Sequence, residues 1–263
     1  MIVQFSKYHG TGNDFVMIDG RMLKGSLSGE DIRFLCHRRF GLGSDGLIIL
    51  EESKKQDFRM RYYNADGREG SMCGNGGRCI VAFARELGLT GHDSSFEGID
   101  GLHKASILPE GEIRLKLKDV QGIRWMEDGY LLDTGSPHYV RFVEGLDDLD
   151  VADVGLEIRH EARFGEGGVN VNFVESGSKG NQIAVRTFER GVEAETFSCG
   201  TGVTAACICT YYHRKSDISS YYVQTRGGLL QVSFEAEHHS SFRNIYLCGP
   251  ALKVYEGEVE IRS

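Results

Sequence analysis

The spacing of hydrophobic residues changes period several times along the chain. In FRMRYYN, Phe58, Met60 and Tyr62 alternate with polar positions. In EIRLKLK, Ile113, Leu115 and Leu117 alternate with charges. A period of two marks strands with one buried face. Residues 2–5 and 15–19 read as strands around the loop HGTGND, and GLIILEE follows as another. SLSGEDIRFLCHRRFG moves to the helical period. Ser28 and Asp31 fit a capping box, Ile32, Leu35 and Cys36 give one apolar face, and Gly41 is expected to stop the helix. A second amphipathic helix is expected within 146–160. GYLLDTGSPHYVRFV, GGVNVNFVES and NQIAVRTFERG read as strands, and Gly227-Gly228 as a hairpin turn between YYVQT and LLQVSF.

Two segments break this amphipathic rule. CGNGGRCIVAFARELG begins at Cys73 and CGTGVTAACICTYYHR at Cys199. Each opens with Cys-Gly-x-Gly and continues as a helix that is apolar or small on every side, which predicts burial on every side. Each also follows an alternating strand and a polar loop, so that MRYYNADGREGSMCGNG aligns with VRTFERGVEAETFSCGTG with one residue of slip. The order of elements repeats although the letters barely do. The pattern predicts an α/β protein of two pseudo-symmetric domains, each a mostly antiparallel sheet wrapped round a central buried helix. Such symmetry would bring both cysteines to an active site at the domain interface.

Composition narrows the function. The chain has 263 residues, enough for two modest domains. It holds 35 glycines, about twice the usual ~7% share, and only 3 prolines, which fits many sharp turns and close backbone approaches. A net charge of −8 without a basic run argues against a nucleic-acid partner. No apolar run approaches the ~18 residues of a membrane span and the start does not read as a signal peptide, so no membrane partner and a cytoplasmic location are expected. Seven cysteines, an odd number, favour thiols over a disulfide framework, and the spacing offers no zinc site; no metal is expected.

A cysteine at a helix start sits at the positive end of the helix dipole, beside N–H groups with no partner inside the helix. That position lowers a thiol pKa from its usual ~8.5 and favours anions. Two such units facing one small carboxylate could remove a proton from one face of the α-carbon and return one to the other. The reaction class is racemisation or epimerisation next to a carboxylate. N–H groups aimed at the carboxylate oxygens would stabilise the charge that builds there. A thiol-redox pair would use the same cysteines without needing the glycine cradles. A non-catalytic amino-acid-binding module is the other alternative.

The stretches FSKYHGTGNDFVMID, YYNADGREGSMCGNGGRC, GVNVNFV and FERGVEAETFSCGTG, in that order, resemble the diaminopimelate epimerase family of cofactor-independent, two-cysteine amino-acid racemases. The resemblance implies interconversion of LL- and meso-diaminopimelate, a small-molecule substrate, in lysine and peptidoglycan precursor biosynthesis. It implies no cofactor, neither pyridoxal phosphate nor metal, and suggests a homodimer. Proline and histidine racemases share the two cysteines and the fold, so a racemase for another amino acid is the nearest alternative. By the resemblance Cys73 and Cys199 are the acid/base pair. Gly74 and Asn75, with Gly200 and Thr201, cradle the reacting carboxylate. Asn13, Asn64, Asn170 and Arg190 hold the substrate, chiefly its distal end. Glu189 binds the ammonium group and helps tune the sulfurs, and His138 supports the catalytic site. The final strand LKVYEGEVEI is expected to return to the first domain, giving domains of 1–118 with about 252–263, and 119–251. Two positions depart from the family pattern: Ser136 stands where Asn usually precedes Pro-His, and Gly46 where some members carry Gln.

Overall fold

The computed structural model describes residues 1–70, 73–238 and 240–261. Ser71 and Met72, which complete the motif before Cys73, lie outside them. The chain divides into two compact units, Met1–Leu115 with Gly249–Ser263, and Lys116–Cys248.

In the first unit β1 (Ile2–Gly10) and β2 (Asn13–Asp19) form an antiparallel hairpin. The strands run closer to the turn than the expected 2–5 and 15–19, because pairing continues until only Thr11 and Gly12 remain. Both have positive φ, 50° and 87°, as a two-residue hairpin turn requires. Helix α1 (Gly29–Cys36) has the expected capping box at Ser28 and Asp31. It ends five residues before Gly41, because the chain folds back over its last turn: Leu42 and Gly43 both donate to the Leu35 carbonyl. Gly41 is needed there, since a Cβ would sit 1.9 Å from the Phe34 oxygen.

Next, β3 (Gly46–Glu51) runs parallel to β2, and β4 (Phe58–Asn64) antiparallel to β3. Helix α2 (Gly74–Glu86) follows. Then β5 (Asp93–Gly98) lies parallel to β4, and β6 (Gly101–Ile107) and β7 (Ile113–Lys116) close antiparallel. The last strand of the chain, Leu252–Glu260, pairs antiparallel with β1. Strand β4 is covered on both faces: Phe58 and Met60 are buried on one, Tyr63 on the other, where it joins Leu47, Ile49 and the apolar face of α1. Tyr62, expected with Phe58 and Met60, is only half-buried.

In the second unit β8 (Val120–Gln121), β9 (Arg124–Met126), β10 (Gly129–Asp133) and β11 (Pro137–Phe142) precede α3 (Val151–Arg159). The expected 146–160 helix is thus shorter: a 3-10 turn fills Leu146–Asp148, and Asp150 caps α3 by accepting from the Asp153 N–H. Then come β12 (Asn170–Ser176), β13 (Gln182–Glu189), β14 (Ala194–Thr196), α4 (Gly200–Arg214), β15 (Ser220–Thr225), β16 (Gly228–His238) and β17 (Ser241–Gly249). The β15–β16 hairpin turns through Arg226-Gly227, one residue earlier than expected, since Thr225 pairs with Gly228.

The two units share one topology. Strands β1, β2, β3 and β4 pair antiparallel, parallel and antiparallel, and so do β10, β11, β12 and β13. The helix comes next, then a strand parallel to the fourth, β5 or β15, and antiparallel partners after it. Helix α2 packs on β1, β2, β3, β4 and β6, and α4 on β10, β11, β12, β13, β15 and β16. The strands of each unit therefore curve round its helix, which is why both helices can be apolar all round. Thr204 and Thr210, polar inside buried α4, donate to the Gly200 and Ala206 carbonyls.

Helix α3 lies on β12 and β13 at close range. A Cβ at Gly155 would come 2.4 Å from Cβ of Phe188. Gly155→Ala gains roughly 1 kcal/mol of helix propensity but overpacks the contact, at a cost of about 1–3 kcal/mol. The strand backbone cannot yield as a flexible side-chain tip could, so a net loss of about 1 kcal/mol is expected in urea unfolding. A variant as stable as the parent would show that α3 and β13 can separate freely.

Candidate active site

Each sheet carries its candidate residues in one row at the strand ends. In the first unit Phe15, Gly46 and Asn64 are paired neighbours on β2, β3 and β4, with Asn13 two residues before Phe15. In the second, His138 pairs with Asn170, and Val171 with Phe188, so Glu189 follows at the end of β13, with Ser136 two residues before His138. The helix start stands beside each row. Cys73 is the N-cap of α2 and Cys199 of α4, both with extended backbone and neither giving its side chain to a cap hydrogen bond. Gly77 N–H bonds back to the Cys73 carbonyl and Val203 N–H to that of Cys199, which starts each helix immediately after the sulfur.

In the first unit a line of amides has its direction fixed at both ends. Arg78, fully buried, can only donate; its Nη2 bonds Asn75 Oδ1 at 3.1 Å and Thr11 Oγ1 at 3.2 Å. Asn75 Nδ2 therefore points away from Arg78 and donates to Asn13 Oδ1 at 3.3 Å. Asn13 Nδ2 in turn donates to the Asp45 carboxylate at 2.7 Å. Arg38 bonds both Asp45 and Asp14, and Lys7 pairs with Asp14. Burial would raise the Asp14 carboxyl, but its bonds from Arg38 and Lys7 outweigh burial and hold it below the usual range. Cys73 Sγ donates to Asn13 Oδ1 at 3.6 Å. Asn64 is exposed and accepts from Tyr62 Oη at 2.9 Å. Gly74 is buried, its carbonyl taken by Arg78. At Gly46 a Cβ would meet Tyr62 at 2.5 Å and the Tyr63 oxygen at 2.7 Å, so this chain's packing of Tyr62 requires glycine there.

In the second unit Thr201 Oγ1 lies 3.5 Å from Cys199 Sγ and 3.0 Å from His138 Nε2. Thr134 fixes the Thr201 carbonyl at 2.9 Å. Asn170 donates to Ser136 Oγ at 2.9 Å and to the Pro137 carbonyl at 3.1 Å, and accepts from the Arg190 N–H at 2.9 Å. Ser136, which stands where Asn usually precedes Pro-His, thus serves as an acceptor that orients Asn170. The Arg190 side chain is exposed, and Glu189 beside it is half-buried.

The sequence pointed to neither Arg78, Asp45 nor Asn172. Arg78 was visible only as a charge inside an apolar helix. Asn172 was visible only as a second Asn on the same strand face as Asn170, in a strand otherwise apolar.

The repeated fold has solved counterparts, and they define its class. A PhzF-family phenazine biosynthesis protein from Bacillus anthracis superposes with a TM-score of 0.77 at 17% identity, covering 99% of this chain and 100% of that one. A hydroxyproline epimerase from Agrobacterium vitis superposes at 0.71 and 14% identity, covering 98% and 92%. This is the two-unit fold of PhzF-type proteins and amino-acid epimerases. Sequence comparison is narrower. The family model described as diaminopimelate epimerase matches residues 5–122 and 130–254. The diaminopimelate epimerase of Flavobacterium psychrophilum is 46% identical over 251 residues, 95% of this chain and 97% of that protein. That of Chlorobaculum tepidum is 42% identical over 260 residues, 96% and 99%. The chain belongs to the diaminopimelate epimerase family. No helix among the described residues is long and apolar enough to cross a membrane.

His138 is fully buried, and burial, aided by the positive charge of Arg190, pushes its pKa down to about 3. Between pH ~6.5 and about 3 the unfolded chain protonates this imidazole and the folded chain does not. Unfolding there takes up a proton, so stability falls as pH drops through that window, by up to about 1.4 kcal/mol per pH unit. The variant His138→Gln is expected to take up one proton fewer on unfolding at pH 5, read from the pH dependence of the urea midpoint. Equal slopes would place a charged imidazole in the folded state.

Proposed function

We propose that this protein interconverts LL- and meso-diaminopimelate by abstracting the α-proton with one cysteine and returning a proton from the other, without pyridoxal phosphate or metal, in lysine and peptidoglycan precursor biosynthesis. The observation that carries the reading is the repeated placement of a cysteine as N-cap of a buried helix, at the same point of the same topology in both units. The family relationship supplies the substrate.

The chemistry follows from that placement. A thiolate takes the α-hydrogen as a proton, and the C–H electron pair moves into the carboxylate. The thiol of the other cysteine gives its proton to the opposite face of the same carbon, and the two sulfurs have then exchanged protonation states. The α-C–H of a carboxylate is a very weak acid, so the charge pushed onto the carboxylate is the main barrier. Backbone N–H groups at Gly74 and Asn75, and at Gly200 and Thr201, are the donors that would meet it, aided by the helix dipoles. Glu189 would hold the ammonium group. Arg190, exposed at the end of β13, would grip the distal carboxylate with two parallel bonds. Asn13 and Asn64 would contact the distal end. Asn170 acts through Arg190, because both its amide hydrogens are engaged by Ser136 and Pro137 and its oxygen holds the Arg190 backbone.

The reading includes the cytoplasm as the place of action. The buried free thiols of Cys36, Cys79, Cys207 and Cys209 fit a reducing compartment. It also includes a homodimer, which a monomer mass in light scattering would remove.

Incubation with LL-diaminopimelate in D₂O, followed by NMR, should show deuterium entering one α-carbon and meso product forming. Cys73→Ala and Cys199→Ala should each lower turnover by about 10²–10⁴-fold. Exchange with another amino acid instead would keep the mechanism and move the substrate; exchange with none would reject the reading. Arg190→Ala should raise KM more than it lowers kcat, since the distal carboxylate is held alike in ground and transition states. An unchanged KM would remove the distal clamp.

A further inference from the structure

The hydrogen bonds behind Cys199 run in one direction only. Asn172, on β12, is fully buried. Its Nδ2 donates to the Tyr139 carbonyl at 3.1 Å and also faces the Asn170 carbonyl at 3.5 Å. Its Oδ1 accepts from Thr187 Oγ1 at 3.0 Å. Carbonyls only accept, so the amide cannot be reversed. The same Nδ2 faces His138 Nδ1 at 3.1 Å, and that nitrogen must therefore be the acceptor. A neutral imidazole then carries its hydrogen on Nε2 and donates it to Thr201 Oγ1 at 3.0 Å. The threonine hydroxyl, already accepting, has its own hydrogen left to give, and Cys199 Sγ lies 3.5 Å away.

We propose that Asn172 is a positioning residue that locks His138 in its Nε2–H form, so that the Thr201 hydroxyl donates to Cys199 Sγ and makes Cys199 the resting thiolate. Cys73 has the opposite setting. Its sulfur faces Asn13 Oδ1, an amide oxygen that can only receive a hydrogen, which suits a thiol. The asymmetry matches the reaction's need for one base and one acid. The depressed basicity of buried His138 keeps the imidazole neutral at working pH, as the relay requires. Gly202 completes the arrangement: a Cβ there would lie 2.2 Å from Asn172 Oδ1, so only glycine lets α4 come down on this amide.

The inference deepens the two-cysteine reading and rests on it. Its test needs no substrate, so its failure is distinguishable from failure of the isotope-exchange experiment. The readout is the ultraviolet thiolate absorbance of the reduced protein at neutral pH. Cys36, Cys79, Cys207 and Cys209 give little background, because burial pushes Cys36, Cys207 and Cys209 upward and Cys79 up to about 12. The band is expected to vanish in Cys199→Ala and to persist in Cys73→Ala. Asn172→Asp keeps the side-chain shape but turns the donor into an acceptor. It should draw the imidazole hydrogen to Nδ1, turn the Thr201 hydroxyl towards Nε2, and lower the thiolate-to-thiol ratio at Cys199 about tenfold, the scale of one charge-assisted hydrogen bond. Thr201→Val should do the same, and Thr201→Ser should restore the band. Should Asn172→Asp fail to fold, the threonine pair and the nitrogen NMR shifts of His138 in the parent carry the test. A band that follows Cys73, no band in the parent, a band indifferent to Thr201→Val, or an imidazole protonated on Nδ1 would each overturn the proposal.

Discussion

Burying a helix on every side leaves its first turn as the place where its polarity must be used. Side-chain caps usually satisfy the orphan N–H groups of that turn. Here the cap residue in each unit is a cysteine whose side chain makes no cap bond, followed by glycine. A sulfur and a set of backbone donors are thus held together by the core itself. The apolar bodies of α2 and α4 fix where the helices lie, and the strands wrapped round them fix where they begin.

Direction, more than proximity, organises the polar groups behind each sulfur. In the first unit a donor-only guanidinium and an acceptor carboxylate terminate the line Arg78–Asn75–Asn13–Asp45, so both amides have one orientation. In the second, backbone carbonyls fix Asn172, and Asn172 fixes His138. Buried networks of this kind tolerate little reversal, because a turned amide would set donor against donor in a setting of low dielectric. The result is two similar helix starts with different polar backing, one sulfur facing an amide oxygen and the other a hydroxyl. Equal scaffolds with unequal backing are what a reaction with separate acid and base roles calls for.

The sequence by itself determined much of this. The change of hydrophobic period located many of the strands, the capping box located α1, and the two Cys-Gly-x-Gly segments located the starts of both buried helices, because a cap and a change of burial are local properties. The repeat was legible in element order, and the observed pairing follows the same order in both units. Ends were less legible. Helix α1 stops at Cys36 because later residues reach back to its carbonyls, and α3 starts at Val151 because Asp150 caps it there. What only the tertiary structure decided is which polar atoms meet. Arg78, Asp45 and Asn172 gain their roles from neighbours 3 to 67 positions away, across strands whose register no local pattern states. A hydrogen bond depends on distances of tenths of an ångström and on which end of an amide faces which group, and those are set by packing after the elements have formed.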